Sequence, residues 1–243
     1  MGDLSEKVIE TLKAQASKDP AEVARRRRVP VENVLGVTTS DIRRLSRELR
    51  KDKHLAKQLW ASELLEARAL AILIISPKDA GKEQLNKWLE DISDWSTCDL
   101  LAKTLVSKRS DVLEIALDWI AQPRLYVRRA GLASLANFCI KNESFDDRTA
   151  AIIFEAIIAT SNDDRPHVRQ ACCWVLREFG KSNSRSHEQA CELALELKES
   201  DNATQQWLGK SAYRELEQLV KVPERRRLVS RRSKTAARQI STQ

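Results

Sequence analysis

Apolar residues recur at three- and four-residue steps along most of the chain. The spacing is clear in residues 59–73, 112–120 and 152–157, and it places the apolar side chains on one face of an amphipathic helix. No sustained stretch alternates apolar and polar residues, and no Asn-Gly or Asp-Gly pair marks a hairpin. The pattern predicts an all-α protein of about a dozen helices joined by short loops.

A five-residue segment recurs at intervals of 41 residues. Its copies are YVRRA (126–130), HVRQA (167–171) and LGKSA (208–212). A period near 40 residues with two helices per unit is typical of HEAT repeats. We therefore expect a HEAT-like α-solenoid in which each copy starts the second helix of a pair and its alanine permits close packing. The third position is basic in every copy, as Arg128, Arg169 and Lys210. Stacked repeats would align these residues as a ladder on a concave DNA-binding face.

The charge is distributed unevenly. The net charge is +7, and residues 221–243 account for it with eight basic residues and one acidic residue, while the other 220 residues contain 34 of each sign. This composition predicts a folded body over residues 1–220 and a basic, disordered tail over 221–243. The tail is either a solvated end or a non-specific tether to phosphates.

Several function classes lack their sequence features. The first residues do not resemble a signal peptide, and no apolar run is long enough to span a membrane, so we expect a soluble cytoplasmic protein, associated with the nucleoid if it is bacterial. Five cysteines and three histidines are scattered without metal-ligand spacing, which predicts neither a disulfide framework nor a metal site. Motifs for nucleotide hydrolysis, dinucleotide binding, serine hydrolysis and zinc proteolysis are absent. We expect a monomer without a cofactor.

Tryptophan is unusually frequent, with six residues against two tyrosines and four phenylalanines. Trp95 and Asp99 are four residues apart, which places both on one face of a helix. Trp174 and Arg177 lie close together on a later helix, and Arg129 stands at the start of another. Indoles, a carboxylate and guanidinium groups on successive repeats suit a nucleic-acid site. Each residue also has an ordinary interpretation, as a core indole, a capping carboxylate or a solvated arginine.

Six segments, in this order and spacing, carry a resemblance to a known family. The chain resembles the AlkD-like DNA alkylation repair family, whose members are HEAT-like repeat DNA glycosylases, from about residue 34 to about residue 219. The segments are LGVTTSDIR (35–43), EAR (66–68), WSTCD (95–99), DWI (118–120), YVRRA (126–130) and WVLREFGKSN (174–183).

This resemblance implies a function and a site. The expected reaction is hydrolysis of the N-glycosidic bond of cationic alkylated purines, N3-methyladenine and N7-methylguanine, in double-stranded DNA. The catalytic carboxylate corresponds to Asp99, the indoles that flank the lesion to Trp95 and Trp174, and the phosphate-binding arginine of the active site to Arg129. Arg177 corresponds to a further contact with the DNA backbone. Apart from the resemblance, DNA contacts are also expected from Arg43 and from the ladder residues Arg128, Arg169 and Lys210.

Two departures from the family pattern bear on the interpretation. Asp94 stands where the family commonly has a second tryptophan, and residues 24–28 contain no aromatic residue that could approach DNA. The main alternative is a non-catalytic HEAT-repeat module that binds DNA or acts as a protein scaffold, in which Trp95 and Trp174 would be core residues. A role directed at RNA also stays open.

Overall fold

The computed structural model describes residues 4–236, and nearly all of its regular structure is helical. This confirms the prediction of an all-α, helical-repeat fold. The α-helices within these residues are α1 (Leu4–Ala14), α2 (Pro20–Arg27), α3 (Thr39–Glu48), α4 (Lys53–Ala61), α5 (Leu65–Ile74), α6 (Lys82–Asp91), α7 (Trp95–Thr104), α8 (Val112–Ala121), α9 (Leu125–Lys141), α10 (Asp147–Thr160), α11 (Pro166–Gly180), α12 (Ser184–Lys198) and α13 (Ala203–Leu216). Short 3₁₀ helices span Val31–Asn33 and Val106–Lys108, and two strands, β1 (Leu219–Val220) and β2 (Val229–Ser230), follow α13.

Polar side chains begin many of the helices. Each lies in an extended conformation just before its helix and accepts hydrogen bonds from backbone N–H groups of the first turn. Such a cap stabilises a helix by about 1 kcal/mol, because it satisfies donors that have no partner inside the helix. The capping residues of α4, α7, α10, α12 and α13 are Asp52, Asp94, Asp146, Asn183 and Asn202.

The chain divides into two compact units, residues 1–111 and 112–243. In the first unit, α5 is the central helix: α3, α4 and α7 all pack against it. Six of its ten residues are buried apolar side chains. The most apolar run of the sequence, residues 69–75, therefore contributes to the core of the first unit.

A buried carboxylate joins two segments of the first unit. Glu66, on α5, accepts hydrogen bonds from the backbone N–H groups of Leu35, Gly36 and Val37 at 3.0, 2.9 and 3.3 Å. Gly36 has a φ of +81°, and a Cβ there would lie 2.2 Å from the carbonyl oxygen of Lys18. The segments 35–43 and 66–68 therefore owe at least part of their pattern to one structural contact.

The second unit contains three helix pairs, α8–α9, α10–α11 and α12–α13. Helix α9 packs against α8 and α11, and α13 packs against α11 and α12. The repeated alanines, Ala130, Ala171 and Ala212, are all buried, as the 41-residue period predicted. The third copy differs in register: α13 begins at Ala203, where the Asn202 side chain caps it, so residues 208–212 lie inside the helix and not at its start.

The prediction of a disordered tail is wrong for residues 221–236. Strands β1 and β2 pair antiparallel, with Leu219 opposite Ser230 and Val220 opposite Val229. Val222, Leu228 and Ala236 are buried, and Leu228 belongs to the hydrophobic core of the second unit. The rest of the predicted tail, residues 237–243, lies outside the described residues.

Candidate active site

The first turn of α7 is organised by Asp94. Its carboxylate accepts from the backbone N–H groups of Ser96 at 2.9 Å and Thr97 at 3.2 Å. It also lies 3.5 Å from the guanidinium of Arg27, and the residue is only 2% exposed. The departure from the family pattern at this position is therefore structural: Asp94 starts the helix that carries the predicted catalytic carboxylate.

Trp95 and Asp99 lie one turn apart on α7. Trp95 is 44% exposed, whereas most large apolar side chains of the first unit are buried. Asp99 is half-buried. Cys98, Leu101 and Ala102 are buried and hold α7 to the core, so burial in the core does not explain Trp95. An accessible indole beside a carboxylate is an arrangement that suits a cationic ligand.

The indole of Trp174 has a different environment. It belongs to α11 in the second unit, where it is half-buried and packs against the hydrophobic core. Its packing therefore contributes to the fold, as the alternative of a core indole expects, although the residue is not fully buried.

Arg129 is a buried arginine of the second unit. Only 6% of its surface is exposed, and its guanidinium donates a hydrogen bond of 2.7 Å to the carbonyl oxygen of His167, at the start of α11. The contact ties α9 to the first turn of α11. Phosphate binding by Arg129 stays a prediction, and it would have to coexist with this structural hydrogen bond.

Two of the three residues of the predicted phosphate-binding ladder have structural partners, and DNA contact by all three stays a prediction. Arg128 donates to the carbonyl oxygens of Ile120 and Gln122 and forms an ion pair of 2.8 Å with Asp163. Arg169 places its guanidinium over the ring of Trp207, 4.4 Å from the centroid. Both arginines join one repeat to the next, and of the three only Lys210 is exposed.

Asp163 is the acidic centre of these contacts. Its carboxylate accepts hydrogen bonds from the guanidinium groups of Arg165 and Arg128, which lower its pKa to about 2 although its partial burial acts in the opposite direction. Arg165 also donates to the carbonyl oxygen of Pro123, in the preceding repeat. Sequence reasoning missed this carboxylate because its partner Arg128 lies 35 residues away.

The remaining predicted DNA contacts divide in the same way. Arg43 is exposed on α3 of the first unit. Arg177 is half-buried and forms an ion pair of 2.6 Å with Glu215, which also pairs with Lys181. Arg43 and Lys210 thus present accessible charge, whereas Arg177 has a structural partner.

Residues 4–236 contain no cluster of three or more His, Cys, Asp or Glu side chains arranged to hold a metal ion. No helix in this part of the chain is long and apolar enough to cross a membrane.

Comparison with known proteins places the chain. Among solved structures, it is similar to a protein described as one of a new family related to the HEAT-like repeat DNA glycosylases with affinity for branched DNA structures. The TM-score is 0.70 and the identity 19%, over 98% of this chain and 92% of that one, and this likeness shows the helical-repeat fold.

Two further solved structures are less similar. The chain is also similar to an engineered protein (TM-score 0.42, 16% identity, 89% of this chain and 99% of that one) and to a designed armadillo repeat protein (TM-score 0.35, 12% identity, 72% and 91%). No curated protein sequence matches it significantly. The sequence model described as DNA alkylation repair enzyme matches residues 8–216, and because this is most of the chain, the protein belongs to the DNA alkylation repair enzyme family.

Proposed function

We propose that this protein is a DNA glycosylase that hydrolyses the N-glycosidic bond of cationic alkylated purines in duplex DNA. The observation that carries the proposal is the pair formed by Trp95 and Asp99, an exposed indole one turn from a half-buried carboxylate on α7. Membership of the DNA alkylation repair enzyme family supports it.

The chemistry suits a carboxylate without a cofactor. An N3- or N7-alkylated purine is positively charged, so it leaves as a neutral base when the bond between its nitrogen and the deoxyribose breaks. The sugar then develops cationic character. In the proposal, Asp99 stabilises this cation or orients the water that attacks it. General-base assistance by a positioned carboxylate contributes on the order of 100- to 10,000-fold.

The other residues have supporting roles in the proposal. The accessible face of Trp95 attracts the electron-poor sugar or base through its π-electrons. Trp174 is proposed as a second indole and Arg129 as an anchor for a DNA phosphate. Because activation comes from the charge of the lesion, neutral lesions should be released slowly.

Release of 7-methylguanine from methylated duplex DNA tests the proposal. Asp99→Asn keeps the size of the side chain and removes its charge, so we expect the rate to fall at least 100-fold. Asp201→Asn is the matched control, since Asp201 is exposed in the loop between α12 and α13 and should leave the rate unchanged. Wild-type rates in both variants would refute the assignment of Asp99.

A second candidate function is binding of branched DNA without base release. The buried Arg129, which donates to a backbone carbonyl, fits this function as well, since that arginine has a structural role whether or not it meets a phosphate. The structural neighbour described above is reported to have affinity for branched DNA. Tight binding of a four-way junction by wild type, together with no release of alkylated bases, would favour this function over the glycosylase.

A further inference from the structure

The segment after α13 is a compact source of positive charge. We define the basic hairpin as residues 219–236, which contain β1, β2 and the turn between them. It has seven basic residues and one acidic residue, Glu224. The 220 residues before the predicted tail are balanced in charge, so the hairpin concentrates most of the net charge of the protein in a small folded element.

The basic hairpin is held in a defined position on the second unit. Leu219 and Leu228 belong to that unit's hydrophobic core. The N–H of Leu228 donates to the carbonyl oxygen of Lys181 at 2.9 Å. Arg227 forms an ion pair of 2.9 Å with Glu178 and also donates to its carbonyl oxygen. These contacts lie at the C-terminal end of α11, so the cations are presented by a docked element.

The basic residues of the hairpin fall into two groups. The first group has partners within the described residues. Arg227 is used for docking, Arg226 pairs with Glu143, and Arg225 donates to the hydroxyl of Thr235. Lys221 donates to the carbonyl oxygens of Arg225 and Arg226. A second group is exposed and has no side-chain hydrogen bond or ion pair with any of residues 4–236; it consists of Arg231, Arg232 and Lys234. Unpaired cations with a net positive surrounding attract a polyanion and repel other cations.

We propose that the basic hairpin binds the phosphates of duplex DNA independently of sequence and of damage. Duplex DNA carries about one negative charge per 1.7 Å of helix axis, and binding of cations to it is favoured by the release of counterions. Phosphate contacts of this kind position a protein and supply affinity without reading bases. The proposal goes beyond the glycosylase function, because it concerns undamaged DNA and assigns affinity to residues that take no part in base release.

The test is the salt dependence of binding to an undamaged duplex, followed by fluorescence anisotropy. The variant R231Q/R232Q/K234Q removes the three unpaired charges. If each contacts one phosphate, the slope of log affinity against log salt should become shallower by about 2.7, and binding near 0.1 M salt should weaken more than tenfold. The control K7Q/K13Q/K18Q removes three exposed charges from α1 and the loop after it, and should change the slope by less than about 1.

Three outcomes decide the proposal. A hairpin variant with the wild-type slope overturns it, and so does an equal change in the control, because then total charge and not the hairpin determines affinity. A wild-type slope in R231K/R232K, which keeps both charges, supports the proposal. Far-ultraviolet circular dichroism shows that each variant is folded.

The hairpin and the glycosylase proposals can fail separately. The hairpin variant should release 7-methylguanine at the wild-type rate when DNA is saturating. Asp99→Asn should keep the wild-type salt slope while it loses base release. Loss of release in the hairpin variant at saturating DNA would overturn the claim that the hairpin supplies affinity alone.

Discussion

Replacement of Asp163 by Asn should weaken the contact between repeats of the second unit in a pH-dependent way. The Asp163 side chain is 7% exposed and lies 2.8 Å from the guanidinium of Arg128 and 2.5 Å from that of Arg165. Asn keeps the shape of the side chain but removes the negative charge. Both guanidinium groups would then lose their charge-assisted hydrogen bonds.

The pKa of Asp163 sets the size of this effect. Its fall from 3.8 to about 2 in the folded protein corresponds to about 2.4 kcal/mol at about 1.36 kcal/mol per unit. Screening by solvent at this partly accessible site reduces the value to about 1–2 kcal/mol. Since the folded pKa is lower than the unfolded one, this stability is fully present above pH 4 and is lost as the pH falls through 2.

Urea unfolding of the two proteins at a series of pH values measures the effect. We expect Asp163→Asn to lower the free energy of unfolding by about 1–2 kcal/mol at pH 7, and the two proteins to become equally stable as the pH approaches 2. The neighbouring Asp164 is exposed, so Asp164→Asn should change stability by less than about 0.5 kcal/mol. A difference between wild type and Asp163→Asn that is independent of pH would refute the electrostatic explanation.

Three further predictions concern the two units. Glu66→Gln should lower the free energy of unfolding by about 2–4 kcal/mol, because one amide oxygen replaces a carboxylate that accepts hydrogen bonds from three backbone N–H groups. An unchanged urea midpoint would contradict this prediction. Gly209→Ser should destabilise the protein by about 1–3 kcal/mol, since a Cβ there would lie 2.4 Å from a backbone nitrogen of α12. Gly81→Ser is the control: it lies at a helix start with open space, so it should be neutral or stabilising. Equal melting temperatures of the two variants would show the packing argument to be wrong. Trp95→Ala should slow base release at least tenfold and lower the free energy of unfolding by less than about 1.5 kcal/mol. Trp119→Ala should lower the free energy of unfolding by about 3–5 kcal/mol, because Trp119 is buried. A large loss of stability in Trp95→Ala would mean that its indole is structural.

Local periodicity predicted most of the fold. The three- and four-residue apolar steps mark helices because the α-helix itself has that period, and the 41-residue repeat marks the helix pairs of the second unit. The start of α13 was missed because its cap, Asn202, lies outside the repeated segment. Disorder was predicted for residues 221–236 from their charge composition. Composition does not show that Leu228 is buried or that Arg227 forms an ion pair with Glu178.

The candidate site was predicted less completely. The placement of Trp95 and Asp99 on one helix follows from their four-residue spacing. The structural contacts of Arg128 and Arg169 could not be predicted in the same way, because their partners lie 35 and 38 residues further along the chain. An arginine that binds phosphate and one that joins two repeats have the same local sequence. Only the partner distinguishes them.

Single-turnover release of 7-methylguanine from a defined duplex, with enzyme in excess over DNA, tests the central claim most directly. The wild-type protein should release this cationic base much faster than a neutral damaged base in the same duplex. Asp99→Asn should bind the duplex with wild-type affinity and release the base at least 100-fold more slowly. Release by Asp99→Asn at the wild-type rate, or no release by the wild-type protein from fully bound DNA, would contradict the account.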